Sequence, residues 1–229
     1  MNSEPEISMG AGKIDEPSST VTVDLTERDL DALRETVRTY YTEKRYGHAL
    51  CVEEEAARLG EIFLPGRIHA LRAAALLHDI TKKFDLEKQL KCCADFGIII
   101  APTYSPEILH AVTAPLIAAQ DFPSFTDREI LGGIRWHTTG RWGMTVFEAI
   151  VFLADYIEPS RTHEKCITVR HELYNRLSTA QSAFEKEKAL NAAVLSVLNN
   201  TIFYLLKKGV IIDPDTVSAR NYYLSEKEL

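Results

Sequence analysis

An all-α domain is what this sequence predicts, on three observations. Apolar residues repeat at helical spacing through most of the chain, capping residues precede those runs, and no run alternates in the manner of a sheet strand. Short apolar stretches such as residues 97–100 are too brief to count as strands. A chain of 229 residues is long enough to build one substantial core. We therefore expect a single helical-bundle domain over residues 23–229, preceded by a tail over residues 1–22. That tail is rich in Ser, Gly, Pro and Glu and has too few large apolar residues to offset the entropy of ordering.

The elements follow in order. Thr26 and Asp29 form a cap-like pair before a helix whose Leu30, Leu33, Val37 and Tyr40 or Tyr41 share a face. The next helix carries Val52, Ala56 and Leu59 on one face, and a third is expected over residues 70–84, through the alanine-rich stretch and on past His78 and Asp79. A fourth runs from Asp85 toward Gly97, a natural C-terminal stop. Ser105 before Pro106 predicts an N-cap, and Pro115 is expected to kink or split the helix that follows. Thr126 and Glu129 read as a capping box for the helix ending near His137. Residues 144–157 and a long segment over residues 164–208 complete the set.

Composition excludes some classes. With 26 basic against 33 acidic residues the net charge is -7, which argues against a general nucleic-acid binder. A local basic cluster could still hold a small anion. Cys51, Cys92, Cys93 and Cys166 show neither a CxxC pair nor zinc-ribbon spacing, as expected of thiols in a reducing cytoplasm. No stretch is read as reaching the ~20 apolar residues that span a membrane, and the N-terminus lacks the apolar core of a secretory signal. A cytoplasmic protein is expected, and a homodimer is its default assembly, with no stretch marking an interface.

The chemistry concentrates in His48, His78, His110 and His137, which end or interrupt apolar helical runs, and in Asp79 and Asp155, carboxylates at the close of such runs. Burying an ionised carboxylate costs heavily unless something compensates it. Arg45, Arg72 or Arg135 could supply part of that compensation. A cation coordinated by imidazole and carboxylate inside a bundle is the alternative, and a thiolate-free set suits iron, manganese or zinc. His78 and Asp79 are adjacent, so both reach one ion only where it sits near a helix edge or end. His69, His163 and His171 stand among polar or charged residues and receive no role; His69 is expected in solvent.

Several motifs occur in fixed order. They are Arg45-Tyr46-Gly47-His48, Leu76-Leu77-His78-Asp79-Ile80-Thr81-Lys82, Ile108-Leu109-His110-Ala111, Trp136-His137-Thr138-Thr139-Gly140, and the run from Phe152 to Arg161. Together with the segment from Asp213 to Asn221, this series resembles the HD-domain phosphohydrolases. Within them it is similar to the symmetrical bis(5'-nucleosyl)-tetraphosphatases, over roughly residues 26–224. One departure is the trio Thr113-Ala114-Pro115, where relatives tend to carry Gly-Ala; the proline is expected to shift the helix beyond His110.

The resemblance implies a metal-dependent hydrolase that cleaves diadenosine tetraphosphate to two ADP, with a divalent ion, iron foremost, one or two per site. His48, His78, Asp79 and Asp155 would be the metal ligands, and His110 and His137 would hold a second ion or touch phosphate. Arg45, on the face of His48, and Thr81, Lys82, Thr138 and Arg161 would contact phosphate or nucleotide. Partners would be dinucleoside polyphosphates and ADP- or GDP-like nucleotides. Rival readings are another HD nucleotidase or phosphodiesterase, and a purine-nucleotide sensor that signals without turnover.

Overall fold

A computed structural model describes residues 22–100 and 105–226. The predicted tail over residues 1–22 lies outside them except for Thr22. The described residues form α-helices in the order α1 (Glu27–Val37), α2 (Glu43–Phe63), α3 (Ile68–Leu77), α4 (Leu86–Asp95), α5 (Leu109–Asp121), α6 (Arg128–Trp136), α7 (Val146–Ile157), α8 (Glu164–Thr179), α9 (Ala183–Lys208) and α10 (Pro214–Glu226). Among them there is no strand.

Capping chemistry sets most of the starts. Thr26 and Asp29 form a full capping box on α1, and Thr145 with Glu148 does the same for α7. The apolar faces read from periodicity are core: Leu30, Leu33 and Val37 on α1, and Val52, Ala56 and Leu59 on α2, are fully buried. One connected apolar core takes side chains from every one of these helices except α4. Within it α3 is central, packed against α1, α2, α6 and α7, which explains its run of small residues. Six of its ten side chains are fully shielded from solvent, and Ala73, Ala74 and Ala75 let neighbouring helices approach closely.

Four expectations need correction. The N-cap of α6 is Asp127, not Thr126, and no capping box forms there. Asp127 Oδ1 accepts from Ile130 N, while Oδ2 accepts from Val23 N and from Arg67 Nη2, so tertiary partners chose between two adjacent caps. Ser105 makes no side-chain cap; a 3-10 turn over Pro106–Ile108 comes first, and α5 starts only at Leu109. Pro115 does not split α5, which runs through it from Leu109 to Asp121 with Ala111, Ala114 and Ala118 buried. The segment over residues 164–208 is two helices, because Ser182 caps α9 through a box with Glu185.

By length and apolarity α9 would suffice to cross a membrane, with mean hydropathy 1.5 over 18 residues, which the reading of the sequence did not anticipate. Its buried side chains, from Ala189 to Leu198, instead face α7, α8 and α10. Gly209 ends it in the left-handed conformation, φ 63°, where a side chain would be strained.

Candidate metal centre

The sequence places one imidazole near an end of each of several helices, and the fold gathers those ends. His78 is the C-cap of α3, His137 the C-cap of α6, and His110 the second residue of α5. Asp155 sits in the last turn of α7, and His48 lies early in α2. The α3 helix therefore stops at Leu77, earlier than the sequence suggested, and the His78-Asp79 pair lies at a helix end where both side chains can turn to one point.

The imidazoles are oriented by a shared device. Nδ1 of His78 lies 2.6 Å from the Ala75 carbonyl, Nδ1 of His137 2.7 Å from that of Ile134, and Nδ1 of His110 2.9 Å from that of Glu107. A carbonyl only accepts, so each Nδ1 carries the proton and each Nε2 presents a lone pair inward. Nδ1 of His48 faces Glu158 Oε1 at 3.1 Å in the same way. The fully buried Glu158 is itself held by Ser160 N at 2.5 Å and Ser160 Oγ at 2.6 Å.

The inward atoms converge. Asp79 Oδ1 is 3.3 Å from His110 Nε2 and 3.6 Å from His137 Nε2, while Oδ2 is 3.6 Å from His78 Nε2. Asp155 Oδ1 is 2.9 Å from His48 Nε2 and 3.9 Å from His78 Nε2. Within each of three groups, His48-His78-Asp79, His78-His137-Asp155 and Asp79-His110-His137, the ligand atoms lie within 4.8 Å of one another.

This donor set fits a cation. The buried Nε2 atoms of His48 and His78 have no hydrogen-bond partner, and the nearest carboxylate oxygen to the former, Asp155 Oδ1, is 2.9 Å away. Nε2 of His110 and of His137 face each other at 3.1 Å with both protons committed to carbonyls. Two lone pairs at that distance repel, and a positive charge between them and Asp79 removes the repulsion.

Protonation follows the surroundings. Burial holds His78 neutral, with its pKa down at about 4, and burial with the Lys82 charge pushes His110 well below its ordinary value. Burial alone would raise Asp79, but the neighbouring imidazoles and Lys82 reverse that and keep it ionised. Asp155 is likewise lowered against its burial by His48 and Arg161. Burial opposes protonation of His48, but the Asp155 carboxylate outweighs it and raises the pKa. Lys82 is pulled down by burial.

Cations and hydroxyls rim the cluster. Arg45 Nη1 donates to Asp79 Oδ2 at 3.0 Å, and Arg161 Nη2 donates to Asp155 Oδ1 at 2.7 Å; both side chains are over a third exposed. Lys82 Nζ is 2.9 Å from His110 Nε2, and Thr138 Oγ1 is 2.9 Å from His137 Nε2. Of the arginines weighed as compensation, Arg45 reaches the cluster; Arg72 pairs with Glu27 and Glu53, and Arg135 lies over the Trp136 ring.

Thr81 departs from expectation. It is fully buried, and its hydroxyl donates to the His110 carbonyl at 3.1 Å, so it holds the α3–α4 turn against α5 rather than offering a free hydroxyl to phosphate. Thr113 lies 2.8 Å from that hydroxyl and donates to Gln89 Oε1. His69 is only partly exposed, beside Glu27, and His163 caps α8. Sequence reasoning gave Glu158, Thr113 and Gln89 no role. Glu158 was findable, since it follows Asp155 by three residues at the end of the same helix and so faces the same way.

Comparison with known proteins shows the family of the chain. Residues 45–160 match the family described as HD domain, which spans every residue of the cluster. The symmetrical bis(5'-nucleosyl)-tetraphosphatase of Staphylococcus aureus is 34% identical over 182 residues, 79% of this chain and 87% of that protein. The enzyme of the same name from Halalkalibacterium halodurans is 33% identical, covering 84% of this chain and 95% of that one. A crystal structure from Clostridium acetobutylicum, described as a predicted HD superfamily hydrolase involved in NAD metabolism, superposes with TM-score 0.73 at 31% identity, over 86% of this chain and 97% of that one.

Proposed function

The chain belongs to the HD-domain family and, within it, to the symmetrical bis(5'-nucleosyl)-tetraphosphatases, and on that premise we propose that it is a metal-dependent hydrolase cleaving diadenosine tetraphosphate to two ADP. The observation that carries this reading is the convergence of inward-facing Nε2 atoms and two carboxylates beneath an arginine and lysine rim.

His48, His78, Asp79 and Asp155 would hold one divalent ion. Asp79, whose two oxygens face different imidazoles, would with His110 and His137 hold a second ion or contact phosphate. The thiolate-free nitrogen and oxygen set suits iron, which the family resemblance favours over manganese or zinc. When bound, such an ion supplies Lewis acidity, polarising a phosphoryl oxygen and making a water nucleophilic near neutral pH.

The remaining work falls to the chain. Arg45 and Arg161 each keep exposed guanidinium edges, and with Lys82 they would align the polyphosphate and offset charge building on the equatorial phosphoryl oxygens. Thr138 would hydrogen-bond a phosphate oxygen beside His137. Attack by water at one inner phosphorus breaks the central P–O–P bridge, one ADP leaving on its bridging oxygen and the other carrying the water's oxygen. Glu158 keeps His48 turned inward throughout.

Product analysis tests this. Anaerobically iron-loaded protein is incubated with diadenosine tetraphosphate and resolved by anion exchange, and ADP is expected as the sole product. ATP plus AMP would overturn the cleavage position, and tight nucleotide retention with no turnover would move the reading to a sensor.

A further inference from the structure

Asp155, Glu158 and Arg161 all serve the metal centre, and all three come from one short stretch at the end of α7. Of these, Asp155 lies inside the helix, which stops at Ile157. Glu158 turns the backbone out of it with ψ 149°, and Pro159 follows. The last carbonyls of a helix have no partner within it and must find one elsewhere. Here one side chain supplies it. Arg170, in the second turn of α8, donates through Nε to the Ile157 carbonyl. Its Nη2 donates to the carbonyls of Glu158, at 2.7 Å, and Arg161, at 3.0 Å. The turn's own backbone bonds, Glu158 N to Ala154 O and Arg161 N to Glu158 O, are both 3.0 Å and stay within α7 and its turn. Arg170 ties that turn to a separate helix.

Two supports of the site hang from the carbonyls so held: the Glu158 carboxylate that orients His48, and the Arg161 guanidinium that pairs with Asp155 at the rim. We propose that Arg170 is a positioning residue of the enzyme, a three-point guanidinium clamp on the α7–α8 turn that keeps Glu158 against His48 and Arg161 against Asp155. It acts through those two residues, and the proposal rests on the hydrolase reading. The side chain suits the task. A guanidinium is planar, with donors fixed in a fork that can hold several carbonyls at once, whereas a lysine ammonium is a single point of the same charge. A cation near a helix C-terminus is favourable through the helix dipole alone. Replacing Arg170 by lysine keeps that contribution and removes the fork, which separates position from charge.

The test is a double-mutant cycle of Arg170→Lys with Glu158→Gln, read as Mn²⁺ affinity by chelator competition, with circular dichroism to check that each variant stays helical. Arg170→Lys alone is expected to weaken Mn²⁺ about tenfold, the lower end of what residues supporting a metal ligand contribute. The double variant should bind Mn²⁺ no more weakly than Glu158→Gln, because one residue acts through the other. Arg170→Lys should also raise KM for diadenosine tetraphosphate about tenfold, through Arg161, the worth of one hydrogen bond to a charged group. Arg176→Lys, at an exposed arginine further along α8, should change neither. Unchanged Mn²⁺ affinity in Arg170→Lys, additive losses in the cycle, or a lower Tm as its sole effect would each overturn the proposal. Failure of the hydrolase reading shows separately, as a wild type that binds Mn²⁺ but leaves diadenosine tetraphosphate intact, and the metal cycle still reads Arg170 in that case.

Discussion

His48 and Glu158 are joined across the bundle, imidazole Nδ1 to carboxylate Oε1 at 3.1 Å, although 110 positions separate them in the chain. The other imidazoles of the cluster lean on backbone carbonyls one turn away, a support that comes with the helix. His48 instead depends on a single side chain from α7's end, so its orientation is the one a point mutation can release. Carboxylates in that position typically account for 10–100-fold in metal affinity. Glu158→Gln is therefore expected to weaken Mn²⁺ or Fe²⁺ binding by about that factor in a chelator competition, with helical circular dichroism unchanged. Unaltered metal affinity would show that Glu158 only braces the Ser160 turn.

Asp79 is the residue on which both halves of the cluster depend, its oxygens facing His110 and His137 on one side and His78 and Arg45 on the other. Asp79→Ala should abolish metal retention and lower hydrolysis by more than about 10³-fold, while a helical fold persists. Metal analysis of the purified variant and product chromatography check the two effects independently. A variant that keeps its metal and full activity would place the chemistry elsewhere.

How much of this was legible in the sequence depends on how local the cause is. The Thr26–Asp29 cap and the buried faces of α1 and α2 follow from residues within a turn or two of one another. The cluster itself was legible because imidazoles and carboxylates closing apolar runs need a compensating partner. What was missed depends on contacts distant in sequence. Asp127 displaces Thr126 as a cap because Arg67 and Val23 engage its second oxygen. Glu158 gains a purpose only when α2 lies beside α7. The break before α9 is the exception, since the Ser182–Glu185 box that makes it is written in adjacent residues.

Glu55 supplies a pH dependence away from the metal centre. Its carboxyl is fully buried, and burial raises its pKa above the ordinary 4.5, although Tyr174 donates a hydrogen bond to it at 2.7 Å. A carboxyl whose folded pKa exceeds its unfolded one binds protons more tightly in the fold. Its contribution is thus fully present below the unfolded value and is lost as pH rises through the raised folded value. Glu55→Gln keeps the acceptor for Tyr174 and removes the titration. The variant is expected to melt above the wild type at pH 7–8, with the gap closing as pH falls toward 4.5. A gap that does not vary with pH would exclude Glu55 as its source.

Thr113 lies one turn after His110 and two residues before Pro115, and its surroundings tie the start of α5 to the α3–α4 turn. Gln89 Nε2 donates to the Thr81 carbonyl at 2.8 Å, Thr81 donates to the His110 carbonyl, and Thr113 closes the ring by donating its one hydroxyl proton to Gln89 Oε1, with its oxygen 2.8 Å from Thr81 Oγ1. All three side chains are buried. Thr113→Val preserves volume but leaves Gln89 Oε1 without its donor, an unsatisfied buried acceptor that costs about 1–3 kcal/mol. For a chain of this length each such kilocalorie lowers Tm by roughly 2–4 °C. Calorimetry should find that loss, and kcat should fall along with it because the His110 carbonyl anchors the start of α5. A Thr113→Val variant that melts lower yet turns over at the wild-type rate would show that the ring stabilises the fold without positioning His110. Loss of neither would mean that the α3–α4 turn is held by its own backbone bonds, such as Lys82 N to Asp79 O at 2.9 Å.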